Sequence, residues 1–582
     1  MKREYRWTIA SAPESGLAGT LAKEINISEI LARVLINRGI NTYEKAREFF
    51  RPKLTDLHDP YLMDNMEEAV TRVIRAVEKK EKVLVFGDYD VDGTNSAAML
   101  YLYFRKLGLE TMFHIPSRIN EGYGISAAGI DRGKEFGVTL IVAVDCGITA
   151  IQQVEYARSK GIDVIICDHH EPAEAIPDAA AVLDPLKPNC RYPFKYLCGC
   201  GVGFKLLQGI ARRLNQDESV YEYVDLAAMA TTADIVPLVG ENRILTKIGL
   251  ERINASPRPG LRALIDSSGT QHGKITTGQI VFVLAPRINA VGRMGDASRA
   301  VELLTREDNE SAVMLAQVFE EENRNRRRID EDTFIKAQEL VDSLLDIETD
   351  PAIVLHHEDW HPGVIGIVAS RLVEKYYRPT IMMTTIDGVA RGSARSIVGF
   401  DIHQALKRVE DKLIQFGGHK YAAGLAVELD RVDEFRKAFN IAVDELMSED
   451  VKTPELKIDS EMALKELTPR FLRILKEFAP YGPGNMRPIF LARKVEVIGT
   501  PRIVGKNHLR FKVRQEGHVL DTIGFGLGSM MDDVRGDGRA LDLVFSVDEH
   551  EWLAPGSNSG SGSAEVFPQL KLKDLRQHKE EN

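Results

Sequence analysis

VLVFGDYDVDGTNSAAML, residues 83–100, decides the fold. The apolar run from Val83 to Phe86 reads as a buried strand that stops at Gly87. Asp88, Asp90 and Asp92 follow at alternate positions, and Gly93 and Thr94 lead into a small-residue helical stretch. The result is a strand, a tight acidic turn and a helix. In an open parallel sheet, ligands bind just beyond the carboxyl ends of the strands. Carboxylates this close repel one another unless a cation is shared among them, so a divalent metal is the economical reading. An EF-hand loop would also begin Asp88, Asp90, Asp92, Gly93, but it needs a glutamate at its twelfth position, where Met99 stands. It also needs a preceding helix, and VLVF reads as a strand.

Outward from this stretch, strands and helices alternate over residues 81–240, the pattern of a parallel sheet covered by helices. TMFHIP is a second strand. TLIVAVD is a third, ending on Asp145, and DVIICDHH a fourth, ending on Asp168, His169 and His170. DLAAMATTADIVPL places Asp234 at the end of a small-residue helix. A single strand-end aspartate is more often a helix cap than a ligand. Parallel strands, however, bring their ends to one edge, where Asp90, Asp92, Asp145, His169 and Asp234 can converge. Carboxylates with imidazole and no thiolate suit Mn²⁺ or Mg²⁺. Two such ions about 3.5–4 Å apart activate water and stabilise an in-line attack at phosphorus. Asp145, from the middle of the set, is the natural bridge between them.

The totals fit this reading. The 582 residues are enough for three or four domains, and 44% hydrophobic with 28% charged residues is ordinary for a soluble protein. The opening MKREYRW has no apolar signal region and no run is long enough to span a bilayer, so a cytoplasmic protein is expected. A net charge of -11 argues against a wholly basic nucleic-acid coat while allowing a local basic groove. Cys146, Cys167, Cys190, Cys198 and Cys200 lack paired C-x-x-C spacing and read as reduced thiols rather than a zinc site.

At this point the chain resembles a known family. DYDVDG, the strand-ending Asp145, Asp168-His169-His170 and TTADIVPL are similar to the four motifs of the DHH phosphoesterase superfamily. FRPKLTDLHDPYLM, PSRINEGYGIS, LAPRINAVGRMGDAS, WHPGVIGIVASRL and FGGHKYAAGL extend the resemblance to its RecJ branch of single-strand-specific DNA exonucleases, over most of the chain. The resemblance implies that Asp90, Asp92, Asp145, His169 and Asp234 are metal ligands. It implies that His170 completes the catalytic site, that Asp88 is an accessory carboxylate, and that Arg118 and Arg293 contact substrate. Related pyrophosphatases carry a histidine four residues before the first ligand of the pair; here that position is Phe86.

The rest of the chain divides around this centre. Residues 1–80 read as a helical arm packing on the catalytic domain, and residues 81–305 form that domain. Residues 306–350, free of glycine and proline, form a long connecting helix on which the Arg324–Arg328 run is a solvated face. Residues 351–450 form a smaller α/β lobe. Its His357-Glu358-Asp359-Trp360-His361 matches H-E-x-x-H, but a strand precedes it and Pro362-Gly363 follow, so the helix a zinc protease needs is missing. Ser393 and Arg395 of GSARS, with Gly417, Gly418 and His419 of FGGHK, offer donors and close backbone approach to an anion. By resemblance this lobe is a DHHA1 domain, and Ser393, Arg395 and Arg293 hold a 5′-phosphate. Residues 451–582 suggest five strands of an OB-like barrel, with His508, Arg510, Lys512 and Arg514 on one strand face. Arg510 and Lys512 could there follow a single-stranded backbone. APGSNSGSGSAE, residues 554–565, reads as a flexible loop between the last two strands.

The fold class expected is therefore α/β: a parallel-sheet DHH domain joined by a long helix to a smaller DHHA1 domain, then an OB-like barrel. The expected function is a 5′-to-3′ exonuclease that degrades single-stranded DNA to 5′-mononucleotides in repair and recombination, using two divalent ions, Mn²⁺ or Mg²⁺. A nanoRNase-type enzyme for short oligonucleotides shares the chemistry but has no need of the C-terminal barrel. A non-catalytic DNA-binding scaffold has no need of the acids. A monomer suffices for this architecture, and a single-strand-binding protein as partner is implied only by the resemblance.

Overall fold

The computed structural model describes residues 4–11, 16–117, 121–122, 124–347, 349–535, 540–552 and 565–579. Two compact units emerge: residues 53–452, and a second built from both ends of the chain, 1–52 with 453–582.

The first unit is organised by five parallel strands, β1 (Lys82–Phe86), β2 (Glu110–His114), β3 (Leu140–Val144), β4 (Asp163–Cys167) and β5 (Ala181–Leu183). Their order across the sheet is 2-1-3-4-5. Alternation puts Val83, Val85, Val142, Val144 and Ile165 on one face and Leu84, Phe86, Ile141, Ala143 and Ile166 on the other, each in its own core. Both faces are covered, which explains strands that read as unbroken apolar runs. In this order the chain leaves β1 in opposite directions to reach β2 and β3, so a crevice opens beyond the ends of β1 and β3. The acidic turn follows β1 and Asp145 follows β3, so the acids lie where the topology leaves room for a ligand.

A helix from Val91 to Lys106 (α1) leaves the acidic turn, with Asp90 as its cap: Oδ1 accepts the Gly93 N–H at 3.0 Å. Two more helices complete the crevice, Gly199–Arg213 (α2) and Val224–Ala233 (α3). A helix from Ala285 to Met294 (α4) and the 36-residue helix Asn309–Leu344 (α5) lead to the second lobe. The arginine run of α5 is not wholly solvated, because Arg326 turns inward and donates to Asn323 Oδ1 at 3.1 Å.

The second lobe is a five-stranded sheet of β6 (Ile353–His356), β7 (Thr380–Ile386), β8 (Val389–Arg395), β9 (Gln415–His419) and β10 (Ala422–Glu428), in the order 9-10-8-7-6. A helix from Ile365 to Tyr376 (α6) packs on β7 and β8. His357–His361 form the turn after β6, not a helix, and the His357 ring stacks on Trp360.

The helical arm expected over residues 1–80 divides at Pro52. Residues 53–80 pack on the sheet domain through Met63, Met66, Val70 and Val73. A buried network pins the loop of the FRPKLTDLHDPYLM stretch there: Lys205 Nζ donates to Glu241 Oε1 (3.0 Å) and the His58 carbonyl (2.7 Å). The Tyr192 hydroxyl donates to Glu241 Oε2 at 2.5 Å. Residues 1–52 instead share a core with the C-terminal segment, where Leu31, Leu35 and Phe49 meet Phe471, Phe478 and Phe490. Arg6–Ile9 also pairs in parallel with Glu455–Ile458. Helical periodicity says that one face of a helix will be covered, and is silent on what covers it.

In that second unit, β11 (Phe490–Val504), β12 (His508–Gln515), β13 (His518–Gly524), β14 (Leu541–Trp552) and β15 (Glu565–Gln577) close a barrel through a β11–β14 pairing. Residues 554–564 of the Gly/Ser loop lie outside the described residues.

Candidate metal centre and phosphate pocket

Three sets of side chains at the sheet edge have ligand atoms within 4.8 Å of one another: Asp88, Asp90 and Asp145; Asp92, His169 and Asp234; and Asp145, His169 and His170. Asp145 belongs to two of them. His169 Nε2 lies 3.2 Å from Asp145 Oδ1, 3.8 Å from Asp234 Oδ2 and 3.9 Å from Asp92 Oδ2. All the expected ligands therefore meet. Asp88, expected as accessory, stands among the ligand-competent acids, while Phe86 is fully buried in the opposite core, 5.0 Å from the His114 ring.

Holding these acids together is unfavourable for the protein alone. Burial, and then Asp92, raise the Asp90 carboxyl above its ordinary range. Burial followed by Asp92, Asp90, Asp88 and Asp234 raises Asp145 well above it, and burial followed by Asp92 and Asp90 does the same for Asp234. The backbone is forced too: Asp145 has φ 61° and Ile235, next to Asp234, also 61°, the left-handed region that costs a β-branched residue most. Oxygen-rich donors under mutual repulsion, with imidazole and no thiolate, fit a pair of hard divalent ions such as Mn²⁺ or Mg²⁺.

Two supports went unrecognised in the sequence. Asp168, at the end of β4, is not in any ligand set; its carboxylate accepts N–H bonds from Ile148 (2.9 Å), His169 (2.8 Å) and His170 (3.3 Å). It also lies 2.7 Å from His170 Nδ1. Burial alone would lower the His170 imidazole, but the Asp168 bond and charge, with Asp234 and Asp92, carry it up to about 9. In the metal-free protein these neighbours favour the His170 cation, and one ring edge is committed to Asp168. Asp168 itself is held low by His170 against the effect of burial. The second support is α2: Asp92 Oδ2 accepts the Gly199 N–H at 2.7 Å and Oδ1 the Cys200 N–H at 2.8 Å. All five cysteines are free and buried, and Cys198 caps this helix.

The second lobe reaches the same region through Arg293, at the end of α4, whose Nη1 donates to the Gly363 carbonyl at 3.2 Å. Three residues on, Gly366 of α6 lies against β8 so closely that a Cβ would meet Ser393 Oγ and Arg395 Nη2 at 2.9 Å. Register places Arg395, Ala422 and His419 in one row and Ser393, Gly424 and Gly417 in the next. Ser393, Arg395, Gly417 and His419 therefore share one sheet face, with bare glycine across from Ser393. Gly418 falls on the alternate register position, at φ 140°, so Gly417 is the glycine that keeps this face open. Arg395 Nη1 donates to Ser393 Oγ at 2.8 Å. Arg118 lies outside the described residues.

A 2-1-3-4-5 parallel sheet bearing this acid and imidazole set at its switch point is a metal-dependent phosphoesterase domain of the DHH type. Residues 82–231 match the DHH family N-terminal domain, 349–445 the DHHA1 domain and 458–556 the RecJ OB domain. The chain belongs to the RecJ family of single-stranded-DNA-specific exonucleases. It is 36% identical to RecJ of Bacillus subtilis, over 98% of this chain and 71% of that protein. It is 33% identical to RecJ of Escherichia coli, over 90% and 93% respectively. A crystal structure of Thermus thermophilus RecJ in complex with Mn²⁺ matches 99% of this chain and 80% of that one, at TM-score 0.83 and 28% identity.

Proposed function

We propose that the protein hydrolyses single-stranded DNA from its 5′ end, releasing 5′-mononucleotides, with Asp90, Asp92, Asp145, His169 and Asp234 holding two divalent ions and Asp88 completing one of the two sets. When bound, the ions supply a water activated at neutral pH and charge to stabilise the phosphorane-like transition state. Asp145, a member of two ligand sets, would contribute to holding both ions. His170, oriented by Asp168 through Nδ1, turns its Nε2 edge to a non-bridging phosphate oxygen. Arg293, Ser393 and Arg395 bind the terminal 5′-phosphate, so that the first phosphodiester of the strand lies over the acids. Arg293 follows the Gly292 that lies against the Tyr89 carbonyl of the acidic turn and donates to Gly363, three residues before the Gly366 that lies against Ser393 and Arg395; this link is the observation that carries the end-directed reading. The basic strand β12, with Arg510 and Lys512, follows the backbone of longer strands. Family membership also supports work in DNA repair and recombination as a cytoplasmic monomer beside a single-strand-binding protein. Among the described residues no helix is long and apolar enough to cross a membrane.

A long single strand labelled separately at each end, incubated with Mn²⁺, tests the proposal. The 5′ label should leave first, as mononucleotide, and Asp145→Ala should release nothing. Early loss of the 3′ label would overturn the polarity and the phosphate pocket together. Cleavage confined to dinucleotides would point to a nanoRNase-type activity.

A further inference from the structure

Asp92 differs from the other acids of the cluster in how it is held. It is 1% exposed, and each of its oxygens accepts a backbone N–H from the first turn of α2, Gly199 on Oδ2 and Cys200 on Oδ1. The first N–H groups of a helix have no partners within it and sit at its positive end. Here each is accounted for: the Gly201 N–H goes to Cys198 Sγ (3.4 Å) and that of Val202 to the Cys198 carbonyl (3.0 Å), leaving the first two for Asp92. The same glycine lies against Asp145, which belongs to the two sets that Asp92 does not. A Cβ on Gly199 would fall 2.5 Å from Asp145 Cβ and 2.7 Å from both its Cα and Oδ1. Real Cβ atoms do not come so close, so any side chain at 199 must push α2 away from Asp145 and draw its amides off Asp92.

We propose that the Gly199–Cys200 amide pair is the positioning element of the metal centre: it aims the Asp92 carboxylate, while the bare Cα of Gly199 sets the spacing between Asp92 and Asp145, and through both it sets metal affinity. The inference rests on the metal-dependent reading above. The thiols of Cys198 and Cys200 belong to none of the ligand sets, and Cys198 Sγ serves only to cap the Gly201 N–H, so the CGCG segment serves the ions through its backbone. Partners that orient ligands are typically worth about 10–100-fold in metal affinity when removed.

The test is Mn²⁺ binding to the full-length protein without substrate, by calorimetry or by the electron paramagnetic resonance of free Mn²⁺, with unfolding followed in EDTA. Gly199→Ala should weaken Mn²⁺ binding about tenfold or more. A second pair removes steric effects altogether: Cys200→Ala against Cys200→L-lactate, which differs from it by an ester oxygen in place of the N–H. The lactate form should bind Mn²⁺ several-fold more weakly than the alanine form, with the two unfolding alike in EDTA. Equal Mn²⁺ affinity in that pair overturns the proposal, as does a loss of EDTA stability with affinity retained, which would mark a structural role only. Should Gly199→Ala fail to fold, the ester pair decides alone. If the unaltered chain itself takes up no Mn²⁺, the metal-dependent reading is what fails.

Discussion

The acidic edge of the parallel sheet and the basic face of the barrel carry opposite charge and are built on opposite principles. At the acidic edge the groups are buried or half-buried, and several are fixed by a named neighbour: Asp90 by the Gly93 N–H, Asp92 by α2, His170 by Asp168. The backbone is bent to suit, as Asp145 shows. On β12 the cations face outward. Arg510 lies across from Arg502, Lys512 lies beside Asp521, and Arg514 pairs with Glu496 at 2.7 Å on the surface. Phe525 is half exposed beside the His508 ring. The acidic edge concentrates repulsion that a bound cation or a proton relieves, so its parts act as a unit. The barrel face spreads attraction over solvated groups, so its parts should act independently.

The sharpest way to break this contrast is Asp145→Asn. The left-handed backbone tolerates asparagine, so the change removes a repelled charge without new strain. Activity should fall on the order of 10³-fold or more, as for the central member of a catalytic unit. The metal-free protein should at the same time gain about 0.5–2 kcal/mol of stability, the usual return for relieving an active site. Urea unfolding in EDTA measures the gain; an Asn variant less stable than its parent would show that the cluster is not strained. Next in size is Asp168→Asn, which leaves the ligands in place but weakens the hold on His170. Turnover should drop about 10–100-fold, as for partners that orient a site, with Mn²⁺ affinity falling less. A variant with full turnover would remove His170 orientation from the mechanism.

How much of this was open to a reader of the sequence follows from the same contrast. The strands, the acidic turn and the strand-end ligands were legible, because a period of two and an abrupt apolar-to-acidic change are local signals. Asp168 was visible as a strand-end acid, but its use as an acceptor for three N–H groups depends on loops brought together by the sheet. The α2 amides were hidden because backbone donors have no residue code; a glycine beside small residues opening a helix was the one available hint. The destination of residues 1–52 was illegible for a different reason. Leu31 and Leu35 announce a buried face, yet the phenylalanines that cover it lie more than 400 positions along the chain.

The proposed phosphate pocket stands between the two extremes, with Ser393 and Arg395 half-buried and Gly417 and His419 exposed. Arg395→Ala removes one charged donor set while Ser393 and the glycine-bare face remain. A charged hydrogen bond of about 1.5–3 kcal/mol corresponds to roughly 10–100-fold. The loss should fall on strands bearing a 5′-phosphate and spare those bearing a 5′-hydroxyl. Competition between the two substrates reads this directly, and equal losses on both would move Arg395 from end recognition to general scaffolding.

The smallest effect belongs to the barrel. Arg510→Ala with Lys512→Ala deletes two outward cations whose loss leaves no buried partner unpaired, so the fold should be untouched. What changes is counterion release: with two phosphate contacts gone, the slope of log affinity against log salt for single-stranded DNA should fall by about 1.4. Affinity at moderate salt should drop several-fold for long strands, while turnover of short oligonucleotides, which calls on the acidic edge alone, should stay the same. Additivity is the decisive feature. If the double variant loses the sum of the two single losses, the face is a set of independent solvated charges; a markedly larger loss would mean that Arg510 and Lys512 are coupled through an ordered strand, and the distinction from the acidic edge would become one of degree.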